Sequence, residues 1–172
     1  TEPWGNEYHG TCCAGIAAAE TNNAQGIAGV GYNCKLIPVK IYVTSGTAIT
    51  ESDAVAGINW AYQSLYGDAD ILNCSWKMGH SQAVLNAITN AVTYGRDNKG
   101  CIVVKSAGNN GLENITFPGE HPKVITVGAT DEYDSRKSKS SYGSALDVMA
   151  PSEVYATDLE GSAGANSSGD YY

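Results

Sequence analysis

The stretch DILNCSWKMGHSQAVLNAITNAVTYGRDNKGCIVVKSAGNNG (70–111) decides the fold of this chain. Two short apolar runs, DILNCS (70–75) and CIVVKSA (101–107), flank a longer segment that opens at Ser81, a residue type favoured at helix N-termini. The apolar residues at helical spacing in that segment are Val84, Leu85, Ile88 and Val92. Short runs of this kind are typical of strands covered on both faces of a parallel sheet. The stretch therefore predicts a strand, a crossover helix and a second strand.

The same alternation extends to both sides of this unit. Upstream, CKLIPVKIY (34–42) has the composition of a strand, and TESDAVAGINWAYQSLYG (50–67) has the apolar spacing of a helix. That helix opens with Thr50 and Asp53, which resemble a capping box. Downstream, KVITVGA (123–129) predicts another buried strand. We expect an α/β fold, a mostly parallel β-sheet flanked by helices, with two right-handed crossovers.

Composition limits the function classes. The 172 residues, 42% hydrophobic and 16% charged, are enough for one domain with a substantial core. Ten basic and 18 acidic residues give a net charge of −8, and the basic residues are scattered, which argues against nucleic-acid binding. No apolar run approaches the roughly 18 residues that span a bilayer, so we expect no membrane association. The five cysteines predict mostly buried thiols with at most one or two disulfides.

Several segments carry residue types suited to chemistry, and each also has a simpler interpretation. His9 begins HGTCCAGIAAAE (9–20), a helix-like segment rich in small residues, where a histidine is often a surface or capping residue. Asn109 follows a buried strand in KSAGNNG (105–111), where its amide could donate to an oxyanion or could simply form an Asn-Gly turn. The loop TNNAQGI (21–27) offers oxygens to a hard cation, or is a plain loop.

Taken in chain order, these segments resemble those of the subtilisin-like serine peptidases over nearly the whole chain. The matching blocks are HGTCCAGIAAA, GIAGVGYNCKLIPVKI, ADILNCSW, VVKSAGNNG, FPGEHPKVITVGATD and YGSALDVMAP. The family's histidine block is matched by His9, Gly10, Thr11, Ala14 and Gly15. The resemblance implies a parallel-sheet α/β fold and hydrolysis of peptide bonds by a Ser-His-Asp triad.

The resemblance also assigns roles to residues. His9 is the implied general base and acid, and Asn109 is the implied oxyanion donor. The segment that pairs with an extended substrate backbone is Ser75, Trp76 and Lys77, where Lys77 replaces a frequent glycine. The implied walls of the primary specificity pocket are Ser106, Ala107, Gly108 and Thr116. Trp76 is also consistent with an ordinary core aromatic.

Two further features are implied by the family. Some members carry a thiol beneath the catalytic histidine, and Cys13 falls at that position; a small buried hydrophobe explains Cys13 equally well. A structural calcium ion is often bound by the loop aligned with residues 21–27. The implied ligands are the Asn23 side chain and carbonyls near Thr21, Gln25 and Ile27.

The chain departs from the family pattern at both ends. None of the eight residues before His9 is an aspartate, and the nucleophile block Gly-Thr-Ser-x-Ala-x-Pro does not occur. We therefore expect residues 1–172 to be a single peptidase domain that is incomplete at both ends, and inactive alone. The expected partners are a peptide or protein substrate in extended conformation and the remaining segments of the same domain. By family analogy we expect a secreted or cell-surface protein.

Two other interpretations stay open. The chain could be a non-catalytic peptide-binding module, a pseudopeptidase that keeps the groove without the chemistry. It could also be a different α/β protein, such as a nucleotide binder. The glycines of GIAGVG (26–31) do not support the latter, because they follow a predicted helix and precede a predicted strand, the wrong context for a phosphate-binding loop.

Overall fold

A computed structural model describes residues 8–41, 48–160, 164, 166 and 168. The chain divides into two compact units, each described by itself below. The first unit comprises Thr1–Pro38, Tyr42–Thr47 and Val154–Tyr172. The second comprises Val39–Ile41 and Ala48–Glu153. The assignment of 1–172 to a single domain stays a prediction.

The second unit is built on a four-stranded parallel sheet. Its strands are β1 (Ile71–Cys74), β2 (Ile102–Ser106), β3 (Val124–Thr130) and β4 (Val148–Pro151). They lie side by side in chain order, β1-β2-β3-β4, and every neighbouring pair is parallel. Lys105 of β2 is in register with Cys74 of β1 and with Thr126 of β3. The predicted α/β architecture is confirmed.

Two helices cover this sheet, and both begin where the sequence predicts. In α2 (Glu51–Tyr62), the Thr50 side chain accepts a hydrogen bond from the Asp53 amide at 3.1 Å. In α3 (Gln82–Asn98), the Ser81 side chain accepts from the Val84 amide at 3.2 Å. These bonds satisfy amides that the first turn of a helix leaves without intrahelical partners. The buried helix residues that join the core beside Leu72, Cys74 and Val103 are Ala54, Ile58, Ala61, Val84, Ala87, Ile88 and Ala91.

The first unit contains α1 (His9–Ala18), which begins at the predicted residue. Its small residues allow close packing: a Cβ added at Gly15 would lie 2.0 Å from Thr157 Oγ1. The glycine-rich segment 29–31 completes the C-terminal end of α1, because the amides of Gly29, Val30 and Gly31 donate to the carbonyls of residues 19, 16 and 17 at 2.8–3.0 Å. Gly29 and Gly31 of GIAGVG therefore complete the end of α1.

Three expectations need correction. No strand forms over the described part of 34–42: Pro38 lacks an amide donor, and Leu36 is 53% exposed where a parallel strand would be buried on both faces. The first of the two expected crossovers is therefore absent from the described residues. Strand β4 was not predicted. All five cysteines, each among the described residues, are thiols, but full burial is limited to Cys74 and Cys101.

Candidate functional site

The carboxyl end of β2 enters a tight loop whose backbone is fixed by neighbouring segments. The Ala107 amide donates to the Val127 carbonyl at 2.7 Å, and the Ala107 carbonyl accepts from the Thr116 amide at 2.8 Å. Gly108 has φ of +115°, and a Cβ there would lie 2.4 Å from Thr116 Cγ2. This position therefore needs glycine both for its backbone conformation and for space.

Asn109 projects from this loop as an exposed side chain. No residue in the described ranges forms a hydrogen bond with the side-chain amide of Asn109. The next residue differs, since Asn110 Oδ1 accepts from Ser141 Oγ at 2.6 Å and from the Leu112 amide at 3.1 Å. Ligands bind beyond the carboxyl ends of strands in open α/β sheets. Asn109 is thus a donor held at that edge by a rigid loop and available to an external acceptor.

The four predicted pocket residues lie together at the same end of β2. Ser106 is exposed, Ala107 is buried, and Gly108 and Thr116 are half-buried. Thr116 Oγ1 donates to the Ala107 carbonyl at 3.2 Å, which links the two sides of the loop. Their role as walls of a specificity pocket stays a prediction.

A buried lysine lies directly behind these residues. Lys105 is 1% exposed, and its Nζ donates to the Ser106 carbonyl at 2.6 Å, to Ser106 Oγ at 3.0 Å and to Thr116 Oγ1 at 3.3 Å. Burial lowers the pKa of Lys105 to about 8. Burial in turn raises the pKa of Cys74 to about 12. Lys105 was not predicted as a functional residue, although a lysine inside an apolar strand run is a visible signal in the sequence.

The exit of β1 carries the predicted substrate-pairing segment. Ser75 Oγ accepts from Asn73 Nδ2 at 2.9 Å, Trp76 packs against the core, and Lys77 is exposed. This contact agrees with the alternative interpretation of Trp76 as an ordinary core aromatic. Because β1 lies at one end of the described sheet, one of its backbone edges is not paired with a described strand. The pairing of Ser75, Trp76 and Lys77 with a substrate backbone stays a prediction.

His9 is the first residue of α1 and is exposed. Cys13, one turn later on the helix, places its Sγ 3.9 Å from His9 Nδ1 and 4.0 Å from Nε2. The hydrogen bond with the Cys13 side chain raises the pKa of His9, while burial opposes the increase. His9 belongs to the first unit and Asn109 to the second, so their joint action in catalysis stays a prediction.

The loop at residues 21–27 supplies neutral oxygen atoms. Asn23 Oδ1 accepts from the Gln25 amide at 3.0 Å, and Asn22, Ala24 and Gly26 have positive φ. Within the described part of the chain, no group of three His, Cys, Asp or Glu side chains is placed to hold a metal ion. Calcium takes six to eight oxygen ligands, commonly including carboxylates. The described loop is therefore not a complete calcium site by itself.

Comparison with known proteins defines the class. A model of the subtilase family matches residues 2–171. The chain belongs to the subtilase family. The resemblance to the subtilisin-like serine peptidases that the sequence indicated is confirmed.

Individual relatives agree with this assignment. The chain is 40% identical over 168 residues to the thermophilic serine proteinase of Bacillus sp. (strain AK1), covering 98% of this chain and 40% of the relative. It is 37% identical over 158 residues to thermitase of Thermoactinomyces vulgaris, covering 90% of this chain and 53% of thermitase. The chain thus spans about half the length of these relatives.

Solved structures support the same fold. A protease from Pseudoalteromonas arctica PAMC 21717 superposes with a TM-score of 0.77 at 32% identity, covering 92% of this chain and 50% of that one. A cold-adapted subtilisin-like serine proteinase gives a TM-score of 0.72 at 30% identity, covering 87% and 50%. No helix in the described ranges has the length and hydropathy to cross a membrane.

Proposed function

We propose that this chain is the central part of a subtilisin-like serine endopeptidase, whose Asp and Ser triad residues are supplied by other segments of the complete protein. In this proposal His9 takes the proton of the serine nucleophile and returns it to the leaving amine. Asn109 donates to the oxyanion of the tetrahedral intermediate. Ser75, Trp76 and Lys77 pair with an extended substrate backbone, which is β-augmentation.

The observation that carries the proposal is that Asn109 has an exposed side chain on a loop with a fixed backbone. A preorganised donor stabilises charge that develops in the transition state because it does not have to reorient during the reaction. The loop around Asn109 is fixed by backbone hydrogen bonds and by a glycine conformation, while its side chain stays available. Family membership supplies the chemistry that such a donor serves.

The test compares two asparagine variants of the complete protein. Asn109→Ala should lower kcat by about 10²–10³ with little change in KM, the magnitude known for an oxyanion-hole asparagine in subtilisin. Asn114→Ala is the matched control, because Asn114 is an exposed asparagine further along the same loop. Labelling with a serine-directed phosphonate should occur in the wild type and in both variants. Equal kcat values for the two variants would refute the role of Asn109.

The proposal also covers the 172 residues on their own. Without the family's Asp and Gly-Thr-Ser blocks, this polypeptide should neither hydrolyse peptides nor react with the phosphonate. Peptide hydrolysis by the purified 172-residue chain, abolished by His9→Ala, would contradict this expectation. Labelling of the complete protein tests the enzyme proposal independently.

Calcium and secretion are further parts of the proposal. In the complete protein, the Asn23 side chain and carbonyls near Thr21, Gln25 and Ile27 would contribute neutral oxygens to a structural calcium ion, with carboxylates from other segments. Calcium should then raise the Tm of the complete protein, and Asn23→Ala should reduce that increase. The relation to the subtilases supports an exported protein, and N-terminal sequencing of protein collected from culture medium tests export.

A further inference from the structure

Lys105 is a buried charge that the proposed mechanism does not use. Isolated buried ammonium groups are costly unless they are hydrogen-bonded or paired with an anion. Its three acceptors in the described structure, the Ser106 carbonyl, Ser106 Oγ and Thr116 Oγ1, are all neutral oxygens. The ammonium is thus hydrogen-bonded, yet none of these partners neutralises its charge.

The charge lies directly behind an exposed hydroxyl. Ser106 Oγ accepts from Lys105 Nζ at 3.0 Å, and the described structure shows no acceptor for the Ser106 hydroxyl proton. Thr116 differs, because its hydroxyl already donates to the Ala107 carbonyl. Ser106 therefore has a proton to donate outward, and the ammonium behind it makes that proton more positive.

We propose that Lys105 and Ser106 form an anion-recognising floor in the substrate pocket, which selects peptides with glutamate or aspartate on the acyl side of the cleaved bond. The inference rests on the proposed function. The substrate carboxylate accepts from Ser106 Oγ and lies about 5 Å from Lys105 Nζ. Lys105 acts through Ser106 and is a positioning residue for specificity.

The test uses the complete protein and three peptides that differ at one position, with Glu, Gln or Leu on the acyl side of the cleaved bond. The Gln peptide has nearly the shape of the Glu peptide without its charge. At pH 7 we expect kcat/KM for Glu to exceed that for Gln by about tenfold, since a unit charge at this distance in a protein-like dielectric is worth at least that much. A Glu/Gln ratio of 1 or less, with Gln or Leu peptides cleaved, would overturn the inference and leave the peptidase proposal intact.

Two variants distinguish the effect of buried Lys105 on the Glu/Gln ratio from that of exposed Lys77. Lys105→Met should reduce the Glu/Gln ratio to about 1 while leaving cleavage of the Leu peptide measurable. Lys77→Met is the matched control, since Lys77 is an exposed lysine at the exit of the neighbouring strand, and it should keep the preference. Loss of the preference in Lys77→Met, with retention in Lys105→Met, would assign the charge to Lys77 and overturn the inference.

A second measurement on the wild type covers the case in which Lys105→Met does not fold. With a pKa of about 8, Lys105 is mostly protonated at pH 7 and mostly neutral at pH 9.5, so the Glu/Gln ratio should fall between these values. Its titratable neighbour on β1 is Cys74, which stays a neutral thiol over this range, and β3 contributes Thr126, which does not titrate. Effects of pH on the catalytic groups cancel in the ratio. A constant ratio would overturn the inference, and no cleavage of any peptide together with no phosphonate labelling would overturn the proposed function as well.

Discussion

The burial of Lys105 predicts an unusual dependence of stability on pH. The ordinary pKa of a lysine here is 10.5, and in the fold it is about 8. Between these values the unfolded chain binds a proton that the folded chain does not, so the free energy of unfolding rises with pH. At 1.36 kcal/mol for each pH unit, the gain is at most about 3 kcal/mol between pH 8 and pH 10.5.

The variant Lys105→Met removes this dependence while keeping a side chain of similar length. At pH 7 two effects offset one another, because the variant loses three hydrogen bonds but no longer buries a charge. The informative quantity is therefore the change with pH. From pH 7 to pH 10.5 the wild type should gain up to about 3 kcal/mol relative to Lys105→Met.

Urea unfolding of the complete protein, monitored by tryptophan fluorescence, measures this difference. The active serine should first be blocked with the phosphonate, so that proteolysis does not distort the transition. Lys123→Met, at an exposed lysine just before β3, is the control and should parallel the wild type at every pH. Parallel curves for wild type and Lys105→Met would show that Lys105 is not a desolvated charge, and the reasoning would fail.

Three further variants test contacts within each unit, and the free energy of unfolding or the Tm of the complete protein is the quantity measured. Ser81→Ala should lower the free energy of unfolding by about 1–2 kcal/mol, because the Ser81 side chain caps α3 and also donates to Glu51, whereas Ser81→Thr should restore most of the loss. Ile88→Ala should cost about 2–5 kcal/mol, because Ile88 is 0% exposed, and a similar loss for half-exposed Ile102→Ala would contradict a burial effect. Gly15→Ala should lower the Tm, because the added alanine Cβ would overlap the Thr157 side chain. Thr157→Ala in the same chain should recover part of this decrease in Tm.

The elements that the sequence predicted correctly are those encoded locally. The caps at Thr50 and Ser81 lie within three residues of the amides they satisfy, and β2 and β3 are continuous apolar runs. Both signals can be read without knowing what lies nearby in space. The positions of α2, α3 and three of the strands followed from them, and α1 was predicted from its small residues.

The errors concern features that depend on distant parts of the chain. A strand needs the backbone groups of a neighbour, and the apolar run at 34–42 has the composition of a strand without such a partner in the described structure. Strand β4 is the reverse case, because Val148 and Met149 are exposed and its strand character comes from pairing with β3. The burial of Lys105 likewise depends on β1, β3 and the loop to Thr116, none of which a local pattern contains.

The agreement between strand order and chain order has a consequence for how the second unit can form during synthesis. Each strand pairs with the strand that leaves the ribosome immediately before it, so the sheet can extend at one open edge as translation proceeds. Among these four described strands, none has to enter between two that are already hydrogen-bonded. From β1 onward, this part of the protein can therefore fold in the same direction in which it is made.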